Sequence, residues 1–240
     1  MPSVSTGWPC MIDFSNVTVS YPLPDGARRT VLENVSVHIG RGEFVYLVGP
    51  TGSGKTSLLK LLYRDALPDA GTIRLADFRF ESMKDEETPF LRRAVGIVFQ
   101  DFQLLPDRNV FDNVAFAQYV TGKSGKGVKN RVVQVLARVG LTHKRRRYPH
   151  ELSGGEQQRV VIARAIVNEP WVVLADEPTG NLDPGVAEEI QKLLIGLHRQ
   201  GMTVIMATHD YRLVRKFPSR TLAVLNKRIV EVDPTSLEGR

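Results

Sequence analysis

The strongest constraint on this chain is Gly49-Pro50-Thr51-Gly52-Ser53-Gly54-Lys55-Thr56, which follows the apolar block 44–48 and opens the apolar segment 57–63. The run fits G-x-x-x-x-G-K-[ST], and its setting between a strand and a helix is the context in which that pattern cradles phosphate. Glycines let the backbone aim several N–H groups at one anion, and the helix start adds partial positive charge. In such a cradle Lys55 reaches the β and γ phosphates and Thr56 offers its hydroxyl to Mg²⁺.

A second run, Leu152-Ser153-Gly154-Gly155-Glu156-Gln157-Gln158-Arg159, lies far downstream, before a helix expected over 156–167. Ser153, Gly154 and Gly155 there form a small anion site of backbone donors and a hydroxyl, with an ordinary helix cap as the alternative for so short a motif. With both runs in this order, the chain resembles the ATP-binding-cassette (ABC) ATPases.

Composition bounds the rest. At 240 residues, 42% hydrophobic and 24% charged, the chain suits one α/β domain with a helical insertion. Short apolar blocks at 44–48, 96–99, 171–175 and 203–207 alternate with helices and predict a parallel sheet covered on both faces. Period-two alternation through Val17, Val19 and Tyr21, and again through Val35, Val37 and Ile39, predicts an antiparallel β subdomain. Val128, Val132, Val135, Leu136 and Val139 give an amphipathic helix stopped by Gly140, within a helical subdomain at approximately 101–159. Residues 122–129 read as a mobile connector inside it, and Asp183-Pro184 starts another helix ended by Gly201. The expected organisation is a loose tail over 1–11 and a single domain over 12–240, with Met1 and Met11 both open as the start.

The single Cys10 excludes an intrachain disulfide and is compatible with a reducing compartment. No apolar run approaches the ~20 residues that span a bilayer, so any transport path belongs to a partner. A net charge of +6 admits nucleic acid, an anionic membrane surface or simple solubility. No nucleic-acid motif accompanies it, and no direct nucleic-acid partner is expected. The basic run His143-Lys144-Arg145-Arg146-Arg147 reads as a solvated face, with membrane proximity as the alternative.

Asp176 and Glu177 follow the block 171–175, at the strand end where α/β sheets place ligands. Asp176 suits the coordination sphere of Mg²⁺, and Glu177 suits orienting and polarising an attacking water. The family resemblance implies further roles. Gln100 would contact Mg²⁺ and water, His209 the γ-phosphate, and Tyr21 the adenine, with core packing as the rival for Tyr21. Asn181-Leu182-Asp183 matches the loop that crosses the dimer interface. Two chains would pair head to tail, the Ser153-Gly154-Gly155 of one closing on the γ-phosphate held by Lys55 of the other.

The stretches 90–93, 99–107 and 113–116, together with 42–45 and Tyr63-Arg64, resemble a bacterial cell-division branch of the family. Ala175-Asp176-Glu177-Pro178-Thr179-Gly180-Asn181-Leu182-Asp183 is shared with lipoprotein-releasing and macrolide-exporting members, which form the alternative. The division branch implies a polytopic membrane partner, a place on the cytoplasmic face of the inner membrane, and signalling to cell-wall hydrolases. A short helix of that partner would dock near residues 100–107, with Phe102, Leu104 and Leu105 as its lining or as ordinary core. Departures from the branch are the loop at Pro22 to Pro24, the N-terminal tail and the lysine-rich connector. DNA-repair members carry a long coiled coil between the two motifs and translation members two cassettes per chain; neither feature is present.

Overall fold

A computed structural model describes residues 10–237. The expected tail therefore lies outside the described residues except for Cys10 and Met11, which already belong to the first strand. That strand, β1 (Cys10–Pro22), pairs antiparallel with β2 (Arg28–Gly40) and with β4 (Ala70–Leu75), and β5 (Phe78–Arg79) closes the order β2-β1-β4-β5. Val17, Val19, Val35 and Ile39 are buried, as alternation requires of a sheet with one dry face.

The second sheet holds β3 (Phe44–Val48), β6 (Val95–Val98), β7 (Val172–Asp176), β8 (Thr203–Thr208), β9 (Arg220–Leu225) and β10 (Arg228–Val232), in the order β10-β9-β3-β8-β7-β6. All pairs are parallel except β9 with β10. Those two strands extend the four blocks expected from the sequence. Asn226 and Lys227, both at positive φ (47° and 67°), form the tight turn that returns β10 along β9.

Every residue of β3 is buried, and alternate side chains serve different cores. Phe44, Tyr46 and Val48 face a cluster built with the inserted helices, whereas Val45 and Leu47 face one built with the antiparallel sheet. The helices are α1 (Lys55–Leu62), α2 (Thr88–Arg93), α3 (Val110–Tyr119), α4 (Gly125–Arg138), α5 (Gly154–Ile166), α6 (Pro184–Arg199) and α7 (Tyr211–Lys216). The mobile connector expected over 122–129 is corrected: α4 already begins at Gly125. Val128 is buried with Val132, Val135 and Leu136, and that apolar stripe draws the first turn into the helix despite Gly125 and Gly127.

One buried amide ties the loop after β6 to α3. Asn113 Oδ1 accepts from the Leu105 N–H at 2.8 Å, and its Nδ2 donates to the carbonyls of Leu105 (3.1 Å), Arg108 (2.8 Å) and Asn109 (3.1 Å). Nearby, the carbonyls of Arg147 and Arg145 accept from the N–H groups of Val110 and Phe111, so the basic run also caps α3. Asn113→Ala strands several buried backbone groups and is expected to cost about 2–3 kcal/mol, read as a lower urea midpoint at an unchanged m-value.

Candidate active site

Because β3, β6, β7 and β8 are parallel, their carboxyl ends lie along one edge of the sheet. Each is followed by a residue expected to act: Gly49 after β3, Gln100 beyond β6, Glu177 after β7 and His209 after β8. Gly49 and Gly54 adopt φ of +149° and +112°, which L side chains rarely do. A Cβ at Gly49 would meet the Val224 carbonyl at 2.8 Å, and one at Gly54 would meet Val31 at 2.9 Å. Pro50, Thr51 and Gly52 form the exposed crest of the loop, and Ser53 tucks back, its N–H donating to the Pro50 carbonyl.

Lys55, 6% exposed, starts α1 and donates from Nζ to the carbonyls of Gly49 (2.9 Å) and Pro50 (3.2 Å). The same ammonium lies 3.6 Å from Glu177 Oε1. The other carboxylate oxygen of Glu177 lies 2.8 Å from His209 Nδ1 and accepts the His209 backbone N–H at 3.3 Å. Glu177 is left-handed, φ 48°, with its N–H donating to the Ala207 carbonyl. For a non-glycine residue that conformation costs on the order of 1 kcal/mol and is characteristic of functional sites. The chain thus holds a carboxylate between two nitrogen donors at the mouth of a phosphate cradle.

Asp176 bonds with Thr56, yet its Oδ1 is buried without a hydrogen-bond partner among the described residues. Burial raises its pKa above the usual carboxylate value, against the lowering effect of Thr56, and the neighbouring Glu177 charge pushes the same way. Ser53 Oγ is likewise buried and unpartnered. An anionic phosphate against Ser53 and a hard cation between Thr56 and Asp176 would satisfy both, so this donor set fits Mg²⁺ bound with a nucleotide. Gln100 is exposed, and its amide lies against Gly180, 3.3 Å from where a Cβ would stand there.

Tyr21 borders a cavity of 340 Å³ that also touches Leu23, Arg29, Val31, Lys55 and Thr56. It is half-buried against the antiparallel-sheet core, so packing and cavity lining are both true of it. Arg29 stands opposite Tyr21 in the β1–β2 ladder. Arg29 belongs to no motif, and its register opposite Tyr21 is the feature that brings it to this cavity.

Ser153 caps α5: its Oγ accepts the Glu156 N–H at 3.3 Å while Glu156 Oε2 accepts the Ser153 N–H at 3.0 Å. A Cβ at Gly154 would meet Leu182 at 3.2 Å and one at Gly155 would meet Val186 at 2.3 Å, so the run packs on the first turn of α6 and the segment leading into it. No hydrogen bond joins it to the phosphate loop among the described residues. A groove of 510 Å³ lies between sheet and inserted helices, with Arg92, Phe99, Gln103, Phe116, Val120 and Arg164 along it. Groove lining and ordinary core are the two readings open for Phe102, Leu104 and Leu105. Phe102 and Leu104 pack on the core, Leu105 is tied to Asn113, and from that stretch Gln103 reaches the groove.

A layout of this kind belongs to one class of protein. The family model described as ABC transporter matches residues 32–180, more than half of the chain, and the chain belongs to that family and is an ATPase. Its α/β fold is that of the family's nucleotide-binding domain, with a mainly parallel core sheet and an antiparallel sheet. Among individual proteins it is similar to the cell division ATP-binding protein FtsE. The Bacillus subtilis (strain 168) protein of that name is 48% identical over 220 residues, covering 92% of this chain and 95% of the relative. The Streptococcus pneumoniae (strain D39) protein is 49% identical over 201 residues, covering 84% and 87%. A dimeric structure of a post-hydrolysis state of the ATP-binding cassette MJ0796, bound to ADP and Pi, superposes with a TM-score of 0.82 at 33% identity, covering 95% of this chain and all of that one. Among the described residues no helix is long and apolar enough to cross a membrane.

A carboxylate whose pKa rises on folding penalises the folded chain while ionised, and the penalty fades as pH falls through the raised value. Asp176→Asn is therefore expected to raise the Tm of the nucleotide-free chain at pH 7 by about 1–4 °C, with the gain shrinking in acid. The stabilisation that Mg²⁺-ATP confers should be lost in the same variant; thermal melts with and without nucleotide read both.

Proposed function

We propose that this chain is the ATP-hydrolysing subunit of an FtsEX-like complex in bacterial cell division. It works as a homodimer on the cytoplasmic face of the inner membrane and signals through an FtsX-like polytopic partner to cell-wall hydrolases. The observation that carries this reading is the similarity to proteins named FtsE over most of their length. The groove between the sheet and the inserted helices supports it, because its apolar floor and flanking arginines suit a short amphipathic helix of a membrane protein.

The residues divide the work by position. The backbone of Gly49–Thr56 and the Lys55 ammonium hold the β and γ phosphates, and Tyr21 stacks on the adenine. Thr56, Asp176 and Gln100 hold Mg²⁺, which when bound neutralises phosphate charge. Glu177 takes the proton of the attacking water as its oxygen adds to the γ-phosphorus and the bond to ADP breaks. His209, beside Glu177 Oε2, orients that carboxylate and faces the γ-phosphate. Ser153, Gly154 and Gly155 close on the γ-phosphate of the paired chain. Their seat on the first turn of α6 and the segment leading into it supports this, since a single chain does not bring them to its own phosphate loop. Two ATP molecules then bridge the pair, and loss of the γ-phosphates opens it.

Lys55→Ala is expected to weaken ATP binding at least tenfold by titration calorimetry while leaving the fold intact. Glu177→Gln should keep ATP bound and trap a dimer on size exclusion; retained turnover would remove Glu177 as the base. The same Glu177→Gln chain, recovered from detergent-solubilised membranes with ATP, should bring down an FtsX-like protein, identified by mass spectrometry. A lipoprotein or macrolide exporter permease in its place would move the function to transport.

A further inference from the structure

The sheet has a second end, and a cavity lies there. Phe44 begins β3 at the edge opposite the phosphate loop, and beside it opens a cavity of 630 Å³, within the size range of small-ligand sites. Its walls include Phe44 and Phe217, with Lys192, His198, Arg199 and Lys216 around them and no carboxylate among the lining residues. Glu188, outside the lining, pairs with Lys192 at 2.8 Å and Lys216 at 2.7 Å, so one acid serves both lysines. Arg199 has no ion pair among the described residues. His198 packs edge-on against Phe44, with ring centroids 5.7 Å apart, and its Nδ1 is buried without a hydrogen-bond partner. The back wall is fixed: the Tyr46 hydroxyl donates to the Phe217 carbonyl at 2.9 Å and accepts from Gln191 Nε2 at 2.9 Å.

Cations at the ends of α6 and α7 are also what helix dipoles attract, and that alone accounts for Arg199 and Lys216. It accounts for neither the aromatic walls nor the unpartnered imidazole nitrogen. We propose that this cavity is an effector site for a small aromatic anion, its ring against Phe44 and Phe217 and its acidic group against Arg199, Lys216 and His198. Both helices that end at the cavity start at the catalytic edge. Helix α6 follows directly on Asp183, and α7 is capped by Asp210, next to His209. A ligand wedged between their far ends shifts the segments that carry catalysis, and by linkage its affinity responds to ATP.

The test uses the full chain and 1-anilinonaphthalene-8-sulfonate, an aromatic anion whose fluorescence reports transfer from water. The expected result is saturable binding, one probe per chain, that persists with the nucleotide site filled by a non-hydrolysable ATP analogue. Arg199→Glu, an exposed change checked by thermal melting, should weaken it at least tenfold. The uncharged N-phenyl-1-naphthylamine should bind at least tenfold more weakly than the sulfonate. Displacement by the analogue, an unchanged affinity in Arg199→Glu, or equal binding of the neutral amine would overturn the site. The probe should also change the ATPase rate of the wild-type chain and leave that of Arg199→Glu unmoved; a wild-type rate that does not respond overturns the effector role.

Discussion

Parallel pairing of β3, β6, β7 and β8 is the constraint on which the rest of this molecule depends. Strands that all run one way present all their carboxyl ends at one edge, so residues far apart in sequence converge there. Lys55, Glu177 and His209 come from beyond three different strands, yet a 3.6 Å ion pair and a 2.8 Å contact link them in a line. The strain of a left-handed Glu177 is tolerated because the parallel sheet holds β7 rigidly on both sides and the Ala207 carbonyl takes its N–H.

The two faces of β3 join both sheets to the helices that lie between β6 and β7. Val45 and Leu47 bind it to the antiparallel sheet, and Phe44, Tyr46 and Val48 to the helices. The inserted helices are joined to the catalytic edge by polar contacts as well. Arg164, on α5, donates to the carbonyls of Phe102 and Gln103, in the loop that follows Gln100. Burial pushes the pKa of that guanidinium down, a cost set against holding this loop.

Geometry also separates Ser153-Gly154-Gly155 from the loop at 49–56. Ser153 and its glycines face the first turn of α6 and the segment leading into it, and the phosphate loop faces Tyr21 and Arg29 across the antiparallel sheet. Helices α6 and α7 begin beside Asp183 and Asp210 and end at the opposite edge of the sheet.

Much of this was legible without coordinates. The phosphate loop, the capped glycine run and the acid pair are local patterns, and their chemistry depends on residue type and spacing within one turn or one strand end. The parallel blocks were legible too, because strands buried on both faces must be continuously apolar. Tertiary structure alone decided the rest. Residues 125–129 look flexible by composition, but Val128 has a core to enter and the segment folds as helix. Phe102 and Leu104 look like surface lining in a loop, but both pack against the core, and Arg164 holds the Phe102 backbone by donating to its carbonyl. Arg29 and the cavity at Phe44 carry no motif, since both arise from strand register and from helices meeting at their ends. A sequence specifies the groups that do chemistry; which of them meet depends on long-range packing, whose energy is spread over many apolar contacts rather than written at any one position.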